Sequence, residues 1–238
     1  MGISVVLLAY REEENLRVLL PQIKEQMETC GESYEILVID TERALDQTEA
    51  VCKQYSARYV NQEEKGFGGA FRTGIKYAAY DKFLILDSDG SHPTKYIPEL
   101  YKKFMTGRYD VVIGSRYVGG GQTNDKWSSK VMLHILNGVF RICIGVTARD
   151  ISTDYRMYNT VQLKKIKLSC ENYDVLQEVL LKLKLSKKNR ELRIGEVPIS
   201  FQKRMYGESK RQLLKFIISY GKTLVKLTRM RLNPVQCQ

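Results

Sequence analysis

The sequence predicts an α/β fold: a mostly parallel, Rossmann-like sheet with helices on both faces. Three observations carry this prediction. Up to about residue 113, short apolar runs alternate with segments of helical spacing, an order that calls for parallel strands joined by right-handed crossovers. Two of the runs end in carboxylates, at Asp40 and at Asp87, so acids gather at the strands' carboxyl ends, where open α/β sheets hold their ligands. With 238 residues, 43% of them hydrophobic, the chain can bury one full core.

The elements follow in order. Residues 3–9 are a continuous apolar strand, and residues 12–28 carry Leu16, Leu19, Leu20, Ile23 and Met27 at helical spacing, with a kink expected at Pro21. Residues 34–40 form the second strand, 44–55 a helix, and 58–60 a short third strand. Gly66-Phe67-Gly68-Gly69-Ala70 opens a helix to about residue 79. Residues 83–86 are the fourth strand, 95–105 a helix and 110–113 the fifth strand. Beyond Ser115 the pattern loosens. Gly119-Gly120-Gly121 with Gln122 to Trp127 reads as a mobile loop, helices are expected over 129–143 and 175–185, and a strand over 192–201. In the last segment Leu213, Ile217, Tyr220, Leu224 and Leu227 share one helical face. Arg211, Lys215, Lys222, Lys226 and Arg229 share the opposite one. Such a basic amphipathic helix can lie on an anionic bilayer, or its apolar stripe can pack on the domain and leave a solvated basic face.

Charge sharpens this point. The chain carries +11, and from Phe201 onward nine basic residues face one acid, Glu208. So concentrated a charge suggests an anionic partner, a membrane surface or a nucleic acid. The five scattered cysteines never form a Cys-x-x-Cys pair, which points to reduced thiols inside a cell rather than a disulfide frame or a zinc site. Two histidines exclude a histidine-rich metal centre. No run approaches the roughly 20 apolar residues of a bilayer span, and the apolar start runs into Arg11-Glu12-Glu13-Glu14, as a strand does and a signal peptide does not. A soluble or peripheral protein is expected.

The stretch Phe83-Leu84-Ile85-Leu86-Asp87-Ser88-Asp89-Gly90-Ser91-His92-Pro93 organises the chemistry. Asp87 and Asp89, one residue apart on a chain that must turn, can both face one hard cation, which in turn can hold a nucleotide diphosphate. Either acid can equally cap the helix near Tyr96. The glycines at 66–69 lack the G-x-G-x-x-G spacing, and no G-x-x-x-x-G-K-[ST] loop is present, which rules out a P-loop NTPase. They suit a close backbone approach to a ligand at a helix start, with Lys65 and Arg72 at hand for phosphate, or tight helix-to-sheet packing. Asp40 can accept hydrogen bonds from a base or ribose, or cap its turn. Arg116 suits a phosphate, although ion pairing is the commoner fate of an arginine.

In order and spacing, several stretches resemble family-two glycosyltransferases of the GT-A fold, above all the dolichyl-phosphate mannosyltransferase-like polyprenyl-phosphate sugar transferases. They are Ala9-Tyr10-Arg11-Glu12-Glu13-Glu14-Asn15, Gly66 through Gly74, Leu86 through Pro93, Ile113 through Tyr117, Ser152 through Tyr158, Tyr173 through Glu178, Gly195 through Ile199 and Tyr206 through Lys210. The resemblance implies that Ala9, Tyr10, Arg11, Glu12 and Asp40 hold the nucleotide, with Lys65, Gly68, Arg72 and Ser88 beside them. Asp87 and Asp89 would ligate Mg²⁺ or Mn²⁺. Arg116, Lys130, Arg204 and Lys210 would face the acceptor phosphate, and Glu178 would lie near the reacting sugar. Ser91 stands where such enzymes offer a further ligand. Thr41-Glu42-Arg43 replaces the second Asp and Gly-Ser turn usual after the position of Asp40, a departure bearing on base selection.

The implied layout is a catalytic domain over residues 1–208 and a basic amphipathic helix and tail over 209–238, peripheral on the cytoplasmic membrane face. The implied reaction is inversion at the anomeric carbon, with Asp89, Glu178 and Arg116 as catalytic candidates. A polyprenyl phosphate acceptor is already ionised and needs no strong base, whereas a saccharide hydroxyl needs a carboxylate, Glu178 first. A non-catalytic nucleotide or nucleic-acid binder is the third reading. No aromatic stacking platform or nucleic-acid motif speaks for it.

Overall fold

A computed structural model describes residues 1–123, 127–187, 191–207 and 213–232, and for 127–131, 133 and 213–220 the description is confined to the backbone. The chain runs β1 (Gly2–Leu8), α1 (Glu13–Cys30), β2 (Ser33–Asp40), α2 (Thr48–Gln54), β3 (Arg58–Asn61), α3 (Gly66–Tyr77), β4 (Lys82–Asp87), a 3₁₀ turn at Thr94–Tyr96, α4 (Ile97–Met105) and β5 (Val111–Ser115). There follow β6 (Gln122–Thr123), α5 (Trp127–Ile144), β7 (Arg156–Asn159), α6 (Thr160–Lys164), α7 (Val175–Leu185), β8 (Ile194–Pro198), β9 (Ser200–Phe201) and α8 (Leu213–Leu232).

Seven strands form one sheet in the order β3-β2-β1-β4-β7-β5-β8. All neighbours are parallel except β7, which runs antiparallel between β4 and β5. Every residue of β1 up to Leu7 is buried, because helices cover both faces and alternation in polarity disappears. The pleat still sorts side chains by turns. Val6, Leu37, Ile39, Ile85 and Ile113 face a layer with α3, α5 and α7. Val5, Leu7, Val38, Leu84 and Leu86 face α1 and α4. The second sheet is a two-strand parallel pair, β6 with β9.

The predicted stripe of α1 is buried in full, and the helix runs on through Pro21 to stop at Gly31, whose φ of 65° is the left-handed conformation of a helix end. The helix expected from residue 44 starts at Thr48 instead. Asp46 accepts the backbone N–H groups of Glu13 and Thr48, while Glu13 accepts that of Gln47, and this exchange holds residues 44–47 as a loop. The strand expected over 192–201 is broken after Pro198, its two parts serving different sheets. Strand β7 and helix α6 had no counterpart in the sequence reading.

Helix α8 packs on α5 and α7. Leu227 is wholly buried and Leu224 lies against the same core, so over the described part the apolar stripe of α8 faces the protein. Arg211 lies outside the described residues, as do the side chains of Leu213, Lys215, Ile217 and Tyr220. The four described cysteines are free thiols. Among the described residues, no helix is long and apolar enough to cross a membrane.

Candidate active site

The carboxyl ends of β1, β2, β4 and β5 lie along one edge of the sheet, and the predicted site residues follow them. Leu8 and Asp87 are register partners, and the Ser88 hydroxyl donates to the Leu8 carbonyl at 2.7 Å, tying the two strand ends together. The chain then turns through Gly90, at φ 77°, where a side chain would run into Met205. Ser91 organises the loop. Its hydroxyl donates to Asp87 Oδ2 at 3.0 Å and its backbone N–H to Asp89 Oδ1 at 3.0 Å.

A group able to ligate a metal gathers here: Asp87, His92 and Asp154 place one ligand atom each within 4.8 Å of one another. Nδ1 of the buried His92 accepts the Asp87 backbone N–H at 3.1 Å. The proton therefore sits on Nε2, 3.1 Å from the Thr153 hydroxyl. Burial pushes the imidazole pKa down, against the pull of Asp87, and keeps it neutral. Asp87 Oδ2 and Asp154 Oδ1 each lie 3.4 Å from that Nδ1. The carboxylates Asp87 and Asp154 suit a hard divalent cation such as Mg²⁺ or Mn²⁺, and the expected second ligand, Asp89, lies outside this group. Sequence reasoning missed Asp154 as a member. Its only signal was its place in the Ser152 through Tyr158 stretch.

The loop after β1 carries Ala9, buried, then Tyr10 and Arg11, exposed. Arg11 has φ 57°, an uncommon conformation for a side chain of that size and one that tends to mark functional loops. Glu12 is 8% exposed. It takes Asn15 Nδ2 at 2.5 Å and Arg204 Nη2 at 2.9 and 3.1 Å on its two oxygens. Burial raises its pKa, with Asn15 and Arg204 pulling the other way. The bonds of Glu12 fasten residues 202–207 across the acidic loop, where Gln202 N–H reaches Ser91 O and Met205 N–H reaches Asp89 O, both at 2.9 Å. Tyr206 N–H completes this strap on Asn15 Oδ1.

Asp40 caps its own turn: Oδ1 accepts Thr41 N–H at 2.8 Å and Oδ2 the Tyr59 hydroxyl at 3.0 Å. Burial pushes Asp40 up, and burial together with that bond pushes Tyr59 to about 12.

At four of the expected positions the fold itself supplies the partners. Gly66, Gly68 and Gly69 do admit backbone at close range, but it is the chain's own. Side chains there would strike the carbonyls of Glu171, Cys170 and Glu64, and Gly68 N–H donates to Glu171 O at 2.8 Å. Gly68 is therefore a packing residue at the start of α3, with Lys65 exposed beside it. Arg72 bonds Glu64 and the Cys170 carbonyl. Arg116 is locked in a two-pronged ion pair with Asp150 at 2.7 and 2.9 Å, bonds Ser152 Oγ and sits 5.2 Å from the rings of Tyr117 and Phe201. That pairing, more than burial can oppose, holds the Asp150 carboxyl below its usual range.

Glu178 is not a surface acid. Its side chain is fully buried and accepts Ser169 N–H, Ser169 Oγ–H and Cys170 N–H, with Lys182 Nζ at 3.2 Å. Burial pushes its pKa up, but the backbone N–H groups of Cys170 and Ser169, the Ser169 hydroxyl and Lys182 together outweigh it and leave the group low. Of the expected acceptor cations, Arg116 and Arg204 are thus engaged within the fold. The Lys130 side chain and Lys210 lie outside the described residues.

Residues 4–167 match the model of a family described as Glycosyl transferase family 2. The chain is similar to a dolichol-phosphate mannosyltransferase of Pyrococcus furiosus, 32% identical over 221 residues, which are 88% of this chain and 59% of that protein. The chain thus spans less than two thirds of that relative's length. It is also similar to an undecaprenyl-phosphate mannosyltransferase of Micrococcus luteus, 30% identical and covering 88% of this chain and 87% of that one. Among solved structures, a glucosyl-3-phosphoglycerate synthase from Mycobacterium tuberculosis in complex with Mn²⁺, uridine diphosphate and glucosyl-3-phosphoglycerate superposes with a TM-score of 0.70. Its identity is 18%, over 95% of this chain and 80% of that one.

Proposed function

Because the chain belongs to glycosyl transferase family 2 and has the GT-A fold, we propose that it moves a sugar, with inversion, from a GDP- or UDP-linked donor to a polyprenyl phosphate. The observation that carries the proposal is the Asp87 to Ser91 loop. It sets two carboxylates past the end of β4, braces both with Ser91 and places Asp154 beside Asp87. In this reading residues 1–208 are the catalytic domain, 209–238 are its basic appendage, and the acceptor is met at a membrane surface on the cytoplasmic side.

The residues divide the work. Asp87, Asp89 and Asp154 would hold the cation, and His92 and Ser91 orient Asp87 from below. When bound there, a divalent cation supplies positive charge against the departing diphosphate. The loop from Ala9 to Glu12 and the turn at Asp40 receive the nucleoside. The strap over the acidic loop, pinned by Glu12 and Arg204, excludes water from the reacting centre. An acceptor phosphate brings its own ionised oxygen, so no carboxylate base is required. The burial and low pKa of Glu178 favour this acceptor over a saccharide hydroxyl, for which Glu178 was the first candidate base. Incubating the protein with labelled nucleotide sugars, Mn²⁺ or Mg²⁺ and short-chain polyprenyl phosphate tests the proposal. Labelled lipid should appear with wild type and vanish in Asp87→Ala and Asp89→Ala. Equal labelling in both variants would defeat the role given to these acids.

A further inference from the structure

Asp174 precedes α7 where a capping acid belongs, yet its side chain makes no cap bond to that helix. Its Oδ1 accepts the Asn172 N–H at 3.1 Å, and its Oδ2 accepts the Thr223 hydroxyl of α8 at 2.7 Å. Asp174 is 9% exposed and Thr223 3%, so the bond between the core and the last helix is shielded from water. Residues 169–174, which end at this acid, also grip the start of α3. Gly68 N–H donates to Glu171 O and Arg72 Nη1 to Cys170 O, both at 2.8 Å. Phe67 stacks on Tyr173 with ring centroids 4.3 Å apart. A second contact comes from α8, where Lys226 Nζ reaches Cys170 Sγ at 3.5 Å. On the other side of the start of α3, Glu63 N–H donates to Thr73 Oγ1 at 3.0 Å and Gln62 N–H to Asp40 O at 2.8 Å. A continuous run of bonded groups thus leads from Thr223 to the turn at Asp40.

We propose that Asp174 and Thr223 are positioning residues for the nucleotide-sugar donor, through which the seating of α8 sets the donor site. The inference rests on the donor reading given above and adds its regulation. When α8 is seated, the Cys170 and Glu171 carbonyls are held against Gly66 and Gly68, where no side chain fits. The first turn of α3 is then fixed, and with it the exposed Lys65 and the bond of Gln62 to Asp40. Without the Thr223 hydroxyl, a buried carboxylate oxygen loses its donor and the 169–174 connection loses its tie to α8. The coupling runs both ways, so a nucleotide that fixes the start of α3 also tightens the seating of α8. The last helix is a working part of the donor site rather than a detachable tail.

The test is calorimetric titration of the full chain with GDP and with UDP in the presence of Mn²⁺, beside transfer kinetics and amide hydrogen exchange. Thr223→Val keeps the shape of the side chain and removes the hydroxyl, whereas Thr223→Ser keeps the hydroxyl. The valine variant should bind nucleotide about fivefold more weakly or worse and raise the donor KM by a like factor, with kcat near wild type. Its amides at residues 66–72 and 169–172 should exchange faster. The serine variant should match wild type in every assay. A merely structural bond would lower the melt of Thr223→Val and leave nucleotide affinity unchanged, and that result overturns the proposal. So does an equal loss of affinity in the serine variant. Should the valine variant fail to fold, wild type alone decides. Bound nucleotide must slow amide exchange at residues 223–227, and no slowing overturns the proposal. If wild type binds neither GDP nor UDP while exchange at residues 66–72 still responds to Thr223→Val, the donor reading falls and the mechanical link from α8 to α3 stands. Without that response both fall.

Discussion

Replacing Glu178 by glutamine separates a structural anchor from a general base. The carboxylate takes three donors from Ser169 and Cys170 and one from Lys182 while fully buried. An amide keeps one acceptor oxygen but turns an NH₂ group towards N–H donors, so about two charge-assisted bonds go. At roughly 1.5–3 kcal/mol each, the cost is about 3–6 kcal/mol, close to the range typical of breaking a buried ion pair. For a chain of this length that lowers Tm by roughly 10 °C. Acid should do the same. The folded pKa lies below the usual value of 4.5, so the contribution is present above pH 4.5 and is lost as pH falls through the folded pKa. The assays are urea unfolding and transfer measured at a temperature where the variant is folded, and the expected result is a less stable protein with near wild-type turnover. Unaltered stability with turnover reduced by about 10²-fold or more would refute the reasoning and restore Glu178 as a base.

Asp150→Asn leaves the buried Arg116 without its carboxylate and should cost about 3–5 kcal/mol in urea unfolding. A cost below about 1 kcal/mol would show that Arg116 finds another partner. Gly68→Ala pushes a methyl into the Cys170 carbonyl and should displace the 170–171 loop, destabilising the fold by about 1–3 kcal/mol. A melt equal to wild type would contradict the packing role. Arg204→Ala unfastens the strap from Glu12 and should raise the KM for the nucleotide sugar more than it lowers kcat, by about tenfold or less. An unchanged KM would detach the strap from donor binding.

The sheet's first half was legible because each strand is a continuous apolar run and each helix a full amphipathic repeat. The placing of Asp87 and Asp89 past the end of β4 was legible because the chain itself turns there, whereas Glu12 was named only through the family resemblance. What escaped depends on partners distant in sequence. Arg72 meets a carbonyl 98 residues on, and Arg116 an acid 34 residues on. Gly66 and Gly68 of α3 face a loop about 100 residues away, so a bare glycine count could not tell ligand from chain. Strand β7 was missed because it is short and carries a fully buried arginine. Arg156 is tolerated there only because the carbonyls of Ile151, Thr153 and Leu176 and the Tyr158 hydroxyl receive its guanidinium.

That late-arriving strand constrains the order of assembly. Strand β5 bonds to β7 and β8 and never to β4, so the centre of the sheet is an open slot until residues 156–159 have been made. A ribosome-bound chain that has released β1 to β4 can zip up β3-β2-β1-β4, yet it must carry the bare rim of Phe83 to Ile85 through the synthesis of about seventy further residues. An unpaired rim of that kind invites another nascent chain to fill it. Its closure by a backward-running insert is therefore the moment at which this polypeptide ceases to be sticky.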